Sequence, residues 1–286
     1  MQKIILYYKF VPLPAPDMTM LWQRELARRL NLRGRVIISQ HGINGTLGGE
    51  LDDLKIYVKE MNLTTEFKDV QYKWSDGSRE DFPKLSVKVR KELVTLEPEE
   101  EFDVFDSGTA LKPAAWHKYL SEHPEATVFD ARNQYESDIG KFKGAIVPQI
   151  KTFKDVKKEL EKLPKDKPVL TYCTGDIRCE YLSAYMKHTG FQDVYHLDGG
   201  IVKYGQQFGD AGHWEGKCYV FDKRMSLPFS DQASDIGTCV RCKTATSHYE
   251  NCARPDCNQQ ILLCENCAEQ SLFCSEKCQE DVAVIS

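Results

Sequence analysis

The stretch Val169–Ala184, VLTYCTGDIRCEYLSA, constrains this chain more than any other. Its first four residues, Val169–Tyr172, make a short apolar run followed by a polar loop, the pattern of a buried strand. Cys173 comes next, then Thr174, Gly175, Asp176 and Ile177, then Arg178. A helical pattern follows, with Tyr181, Ala184 and Tyr185 on a common face. A thiol at the carboxyl end of a strand, under a loop that feeds a helix, faces backbone N–H groups with no helical partner. Those donors and the helix dipole favour thiolate and can bring a cysteine pKa down to roughly 3.5–7.5. The thiolate is the nucleophile, so Cys173 reads as a reactive sulfur, with Arg178 as its counter-charge and residues 174–177 as a cradle for substrate.

Repeated strand–helix patterns surround this stretch. Trp116–Ser121 reads as helix, Thr127–Asp130 as strand, Phe153–Leu163 as helix, Tyr181–Thr189 as helix, and Val194–Leu197 as a strand ending in Asp198-Gly199-Gly200. Such alternation predicts a parallel sheet with helices on both faces and a site at the strand carboxyl ends, where Cys173 sits. This α/β domain is expected over residues 112–215.

Residues 1–93 give a different order. Ile4–Phe10 is a strand, Asp17 caps a helix through about Asn31 with Leu21, Leu26 and Leu30 as its apolar stripe, and Arg35–Ser39 is a second strand. His41-Gly42-Ile43-Asn44-Gly45 reads as a tight turn before a short strand near Thr46. Leu51–Asn62 is a helix with Leu54, Tyr57, Val58 and Met61 inward, and Val70–Trp74 and Leu85–Arg90 complete the strands. The order βαββαβ with an extra edge strand predicts a ferredoxin-like (acylphosphatase-like) α+β domain. His41 and Asn44 lie among glycines that allow close approach of a ligand. Lys84, Lys88 and Arg90 share strand parity and can present charge to a phosphate backbone, or simply to solvent.

Charge supports that division. The chain carries −5 overall, but residues 1–93 hold 16 basic and 12 acidic side chains, so that segment is +4 and the rest −9. A mildly basic domain on an acidic protein permits a phosphate-rich partner. Residues 94–111 hold six acids (Glu97, Glu99, Glu100, Glu101, Asp103, Asp106) and no base, and read as a linker draped over the next domain. No run approaches the ~20 apolar residues of a membrane span. The start, MQKIILYYKF, lacks a signal-peptide core and cleavage site, so the cytoplasm is the expected compartment and no membrane the expected partner.

Nine of the eleven cysteines fall in residues 216–286, and eight of them, all but Cys218, form four pairs: Cys239 and Cys242, Cys252 and Cys257, Cys264 and Cys267, Cys274 and Cys278. Close pairs let one turn supply two thiolates to one ion, and eight thiolates complete two tetrahedral zinc sites. Interleaving would join Cys239, Cys242, Cys264 and Cys267 at one ion and the other four at the second; a sequential arrangement is the rival. Disulfides or an iron–sulfur role are the other uses of such a set. Four thiolates leave no open position, so the metal is expected to be structural.

The central loop resembles that of the rhodanese family. Cys173 and Arg178 are separated by four residues, whereas the phosphatase cradle has five; the smaller ring suits a single sulfur atom or a similarly small group. Phe129-Asp130-Ala131-Arg132 with Glu136, the stretch Gly140–Ala145, and Leu197-Asp198-Gly199-Gly200 are similar to further rhodanese segments. The full order (ferredoxin-like domain with HGINGT, rhodanese domain with CTGDIRCE, eight-cysteine module) resembles the rhodanese-like tRNA uridine hydroxylases. That resemblance implies oxygen-dependent 5-hydroxylation of the wobble uridine, with the tRNA anticodon loop as partner and molecular oxygen as cosubstrate. The family loop reads CTGGIRC, and Asp176 stands here at the second glycine, where its charge would oppose a lowered Cys173 pKa. Cys173 can attack uridine C6 or carry a persulfide or sulfenic oxygen, and Cys179 can resolve such a species or merely pack. A sulfurtransferase served by a sulfur-relay protein, and a non-catalytic adaptor for RNA or protein, are the alternatives.

Overall fold

The computed structural model describes residues 1–257 and 259–283. Two compact units emerge: Met1–Asn133 with Gly144–Gln207, and Gln134–Lys143 with Phe208–Ser286. In the first, β1 (Gln2–Phe10), α1 (Pro16–Arg29), β2 (Arg33–Ser39), β3 (Gly42–Glu50), α2 (Leu51–Asn62), β4 (Gln71–Asp76) and β5 (Leu85–Val89) build the N-terminal domain. Its sheet runs β4-β1-β3-β2-β5, with β5 parallel to β2 and the other pairings antiparallel. Ile5, Tyr7, Val36, Ile38, Ile43 and Leu47 point to one face and are buried with Leu26, Ala27, Leu54, Tyr57 and Met61 of the two helices. The opposite face carries Leu6, Tyr8 and Lys73, since successive strand residues alternate sides. The expected ferredoxin-like arrangement with an extra edge strand is what forms.

Two local expectations fail. Asp17 is not the cap of α1: Ala15 holds that position without a side-chain bond, and Pro16 and Asp17 occupy the first turn. Leu21 is 51% exposed, and Gln23 takes the inward position that the stripe assigned to leucine. HGING is not a tight turn before a short strand either, because β3 starts at Gly42 and runs nine residues. The glycines answer to the neighbouring strand. A Cβ on Gly42 would meet the Lys9 carbonyl at 2.0 Å, and one on Gly45 would enter the Tyr7 ring.

The acidic segment contributes to a core: Leu96 and Val104 are buried, and Phe102 packs edge-on against Tyr181 and Tyr185. Its acids meet bases, Glu99 with Lys157 at 2.6 Å and Asp106 with Lys187. The segment ends in β6 (Thr109–Leu111), followed by α3 (Pro113–Glu122), β7 (Thr127–Asp130), α4 (Gln134–Ser137), β8 (Gly140–Phe142), α5 (Val156–Leu160), β9 (Val169–Tyr172), α6 (Ile177–His188), β10 (Val194–Leu197) and α7 (Gly200–Phe208). Strands β6-β10-β9-β7 form a wholly parallel sheet. Phe153–Asp155 is a 3-10 turn leading into a short α5, so the expected long helix over 153–163 is cut to one turn of each kind. Val169 faces the cluster containing α5 and α6, while Tyr172 faces Trp116 of α3 across 6.4 Å between ring centroids, so helices cover both faces.

Asp130 and Arg132, at the end of β7, brace this domain. Both are fully buried, Arg132 Nε and Nη2 donate to the two Asp130 oxygens at 2.8 and 2.7 Å, and the Tyr172 hydroxyl adds a 2.7 Å bond. Arg132→Ala would strand a carboxylate inside the fold. A loss of about 3–5 kcal/mol is expected, read as a lower urea midpoint.

The second unit collects α4 and β8 with short hairpins. Strand β11 (Trp214–Gly216) pairs with β8, β12 (Cys218–Tyr219) with β13 (Ser226–Leu227), and β14 (Tyr249–Asn251) with β15 (Gln260–Leu262), before α8 (Glu265–Gln270) and α9 (Glu276–Ala283). Ile139, Tyr219, Tyr249 and Leu262 form one of its apolar clusters, and Cys239, Ile261, Leu263 and Cys267 another. No helix among the described residues is long and apolar enough to cross a membrane.

Candidate functional site

Strand β9 carries Cys173 to the carboxyl edge of the parallel sheet, and the chain loops over it before α6 begins at Ile177. The Asp176 backbone N–H donates to Cys173 Sγ at 3.1 Å. Arg178 Nη2 donates to Thr174 Oγ1 at 3.3 Å, tying the two ends of the loop. The amide N–H groups of Ile201 and Val202 in α7 donate to the Cys173 and Thr174 carbonyls at 3.0 and 3.1 Å. Cys173 is fully buried.

Burial opposes ionisation of Cys173, but the Cys179 thiol and the Arg178 charge outweigh it and bring its pKa down to about 6, with Asp176 pulling the other way. Cys179 is pushed up, first by burial and then by its bond to Cys173, so it stays protonated as a donor. The Thr171 hydroxyl lies 3.5 Å from Cys179 Sγ. A thiolate beside a protonated thiol, a guanidinium and an aimed N–H is an arrangement that can supply a nucleophile.

The loop residues expected to form the site (Cys173, Thr174, Gly175, Asp176, Ile177, Arg178 and Cys179) therefore come together. The N-terminal candidates are spread out. Asn44 pairs across from Tyr8. Lys88 stands in the same row, past Ile37, on β5, three strand spacings or about 14 Å from Tyr8. Lys84 and Arg90 flank β5 and are exposed. His41 meets Phe105 edge-on at 6.4 Å, away from the loop.

Sequence reasoning missed four side chains around the loop. Tyr8 lies within hydrogen-bond distance of Asp176 (2.9 Å) and Glu180 (2.7 Å), His196 Nδ1 is 2.7 Å from Asp176, and Lys73 donates to the Gly175 carbonyl at 2.9 Å. An open cleft of about 420 Å³ reaches this cluster, lined by Tyr8, Lys73, Trp74, Glu180, Gly199 and Lys203. A second groove, of about 410 Å³, is bordered by Arg24, Arg28, Arg33, Arg79 and Lys84. These bases come from α1, β2 and the segment before β5, so only the fold assembles them.

In the second unit the four pairs of cysteines combine alternately. Cys239, Cys242, Cys264 and Cys267 form one cluster, and Cys252, Cys257, Cys274 and Cys278 the other, with all four sulfurs of each within 4.8 Å of one another. Sulfur separations of 3.5 Å (Cys242 to Cys264), 3.7 Å (Cys257 to Cys274) and 3.5 Å (Cys274 to Cys278) approach the ~3.8 Å that tetrahedral bonds of about 2.3 Å require. Each cluster can hold a metal ion. All eleven cysteines are free of disulfides.

Comparison with known proteins agrees with this anatomy. Residues 2–93 match the UPF0176 acylphosphatase-like domain, residues 113–207 the rhodanese-like domain, and residues 215–279 the rhodanese C-terminal family. The tRNA uridine(34) hydroxylase of Corynebacterium jeikeium is 48% identical over 293 residues, covering 98% of this chain and 95% of that protein. The protein of that name from Arthrobacter sp. is 50% identical over 97% of this chain and 99% of its own length. This chain belongs to the tRNA uridine(34) hydroxylase family.

Proposed function

We propose that this protein hydroxylates C5 of the uridine at tRNA position 34, with Cys173 as the nucleophile. The observation that carries the reading is a buried cysteine with a pKa near 6, hydrogen-bonded by the loop's own N–H, in a chain collinear with relatives of that name. Addition of the Cys173 thiolate to C6 places negative charge on C5 and O4, which makes C5 nucleophilic towards oxygen. Loss of the C5 proton and departure of the thiolate then restore the ring. With molecular oxygen as source, one atom enters the base and the other leaves as water, and two electrons and two protons come from an external reductant. Arg178 holds positive charge beside the sulfur, and the protonated Cys179 donates to it. An anticodon-loop base is already accessible, so presenting it costs less than flipping a duplex base.

The two cysteine clusters would hold structural zinc, and the cytoplasm is where tRNA and reduced thiols coexist. Nucleoside mass analysis of tRNA incubated in air with protein and reductant tests the function. Uridine 34 should gain one oxygen; sulfur released from thiosulfate with no change to tRNA would point instead to a sulfurtransferase fed by a sulfur-relay protein.

The basic side chains of the N-terminal domain are the proposed phosphate grip: Lys84, Lys88 and Arg90, joined by Arg24, Arg28, Arg33 and Arg79 of the groove, with His41 and Asn44 as further contacts. Each phosphate neutralised contributes roughly 0.7–0.9 to the slope of log affinity against log salt. Replacing Arg28, Lys84 and Lys88 together by alanine should flatten that slope by about 2, measured by tRNA binding at a series of salt concentrations.

A further inference from the structure

The Cys173 loop belongs to the parallel-sheet domain, yet the N-terminal sheet holds it. Asp176 adopts φ 84°, in the left-handed region that non-glycine residues seldom enter. In that conformation its N–H meets Cys173 Sγ at 3.1 Å. Its carboxylate sits buried among three groups outside the loop: the Tyr8 hydroxyl at 2.9 Å, His196 Nδ1 at 2.7 Å and the Gly199 N–H at 3.1 Å. One residue earlier, the Gly175 carbonyl accepts from Lys73 at 2.9 Å. The contact is close enough that a Cβ on Gly175 would lie 2.8 Å from Leu6 Cδ2. Leu6, Tyr8 and Lys73 share one face of the N-terminal sheet, with Leu6 and Lys73 directly paired.

We propose that Tyr8 and Lys73 are positioning residues for the reactive sulfur: they clamp Asp176 and Gly175 so that the loop N–H stays aimed at Cys173. The reactivity of the rhodanese-type cysteine then depends on a second domain docked over its loop. Asp176 is the handle the clamp grips. A glycine at that position enters the left-handed region unaided and would offer Tyr8 nothing to hold. The charged and titratable groups around the sulfur and the handle are Arg178, Cys179, Asp176, Glu180, His196, Tyr8 and Lys73. Burial works to raise Glu180 and lower Lys73. The one Tyr8 proton can serve Asp176 or Glu180 at a time. This inference rests on the reading of Cys173 as a nucleophile but not on its substrate.

Alkylation of the full-length protein by iodoacetamide across pH tests it, followed on the tryptic peptide Asp166–Arg178, which holds Cys173 and no other cysteine. The midpoint reports the thiol pKa and the plateau reports access. In Tyr8→Phe the midpoint should rise by about one unit, a tenfold smaller thiolate fraction below it, and Lys73→Met should move it the same way. In an Asp176→Gly background Tyr8→Phe should no longer shift the midpoint. An unchanged midpoint in both single variants overturns the proposal. So does a Tyr8→Phe shift of equal size with Gly at 176, because Tyr8 would then act without its handle. Failure of wild-type protein to modify tRNA, with these shifts present, would count against the proposed substrate alone.

Discussion

The Cys173→Ala protein is expected to bind tRNA as tightly as wild type and to leave uridine 34 unoxidised, a loss of at least about 10³-fold in turnover. The expectation follows from where the sulfur lies. Cys173 is fully buried at the carboxyl end of β9, so its removal changes no exposed surface of the protein. What disappears is the loop thiol that its surroundings bring down to a pKa of about 6; its neighbour Cys179 is pushed the other way. Cys179→Ala should therefore be milder, raising the Cys173 pKa by removing a donor without removing the nucleophile. Nucleoside mass analysis beside a tRNA-binding measurement separates the cases. Full activity in Cys173→Ala would show that the oxygen reaches C5 by a route that needs no thiolate, and abolished binding would show that the loop is part of the RNA grip.

Much of this frame was legible in the sequence, for physical reasons. Strands buried on both faces read as continuous apolar runs, and Thr127–Asp130, Val169–Tyr172 and Val194–Leu197 form with the expected ends. Leu51–Asn62 likewise keeps its helical period, with Leu54, Tyr57 and Met61 buried. The setting of Cys173 was visible because strand, loop and helix are consecutive. The clamp was not, because Tyr8 and Asp176 are 168 positions apart and nothing local marks either as a partner. The glycines of HGING misled for the same reason: the Tyr7 ring and the Lys9 carbonyl that demand them belong to another strand. Asp176 alone suggested an electrostatic penalty on Cys173. That penalty is present, but the side chain's three outside partners give it a shaping role that charge alone did not reveal.

Stripping metal should unfold the second unit while the first keeps its structure. Its strands are two or three residues long, and such hairpins are not stable on their own. Structural zinc in small cysteine sites contributes roughly 10–16 kcal/mol of apparent binding energy at pH 7, and one of the unit's apolar clusters, Ile261 and Leu263 with Cys239 and Cys267, includes the metal-site cysteines themselves. Wild-type protein should carry two zinc ions per chain by elemental analysis, and should lose them as pH falls and thiolates take up protons. Paired substitutions then test the alternate arrangement directly. Cys242→Ser with Cys264→Ser damages one cluster and should leave one ion bound, whereas Cys242→Ser with Cys257→Ser damages both and should leave none. A sequential arrangement predicts the reverse for each pair. Retention of both ions in either double variant would show that the thiolates do not hold the metal, and the second unit would then need another source of stability than these eight cysteines.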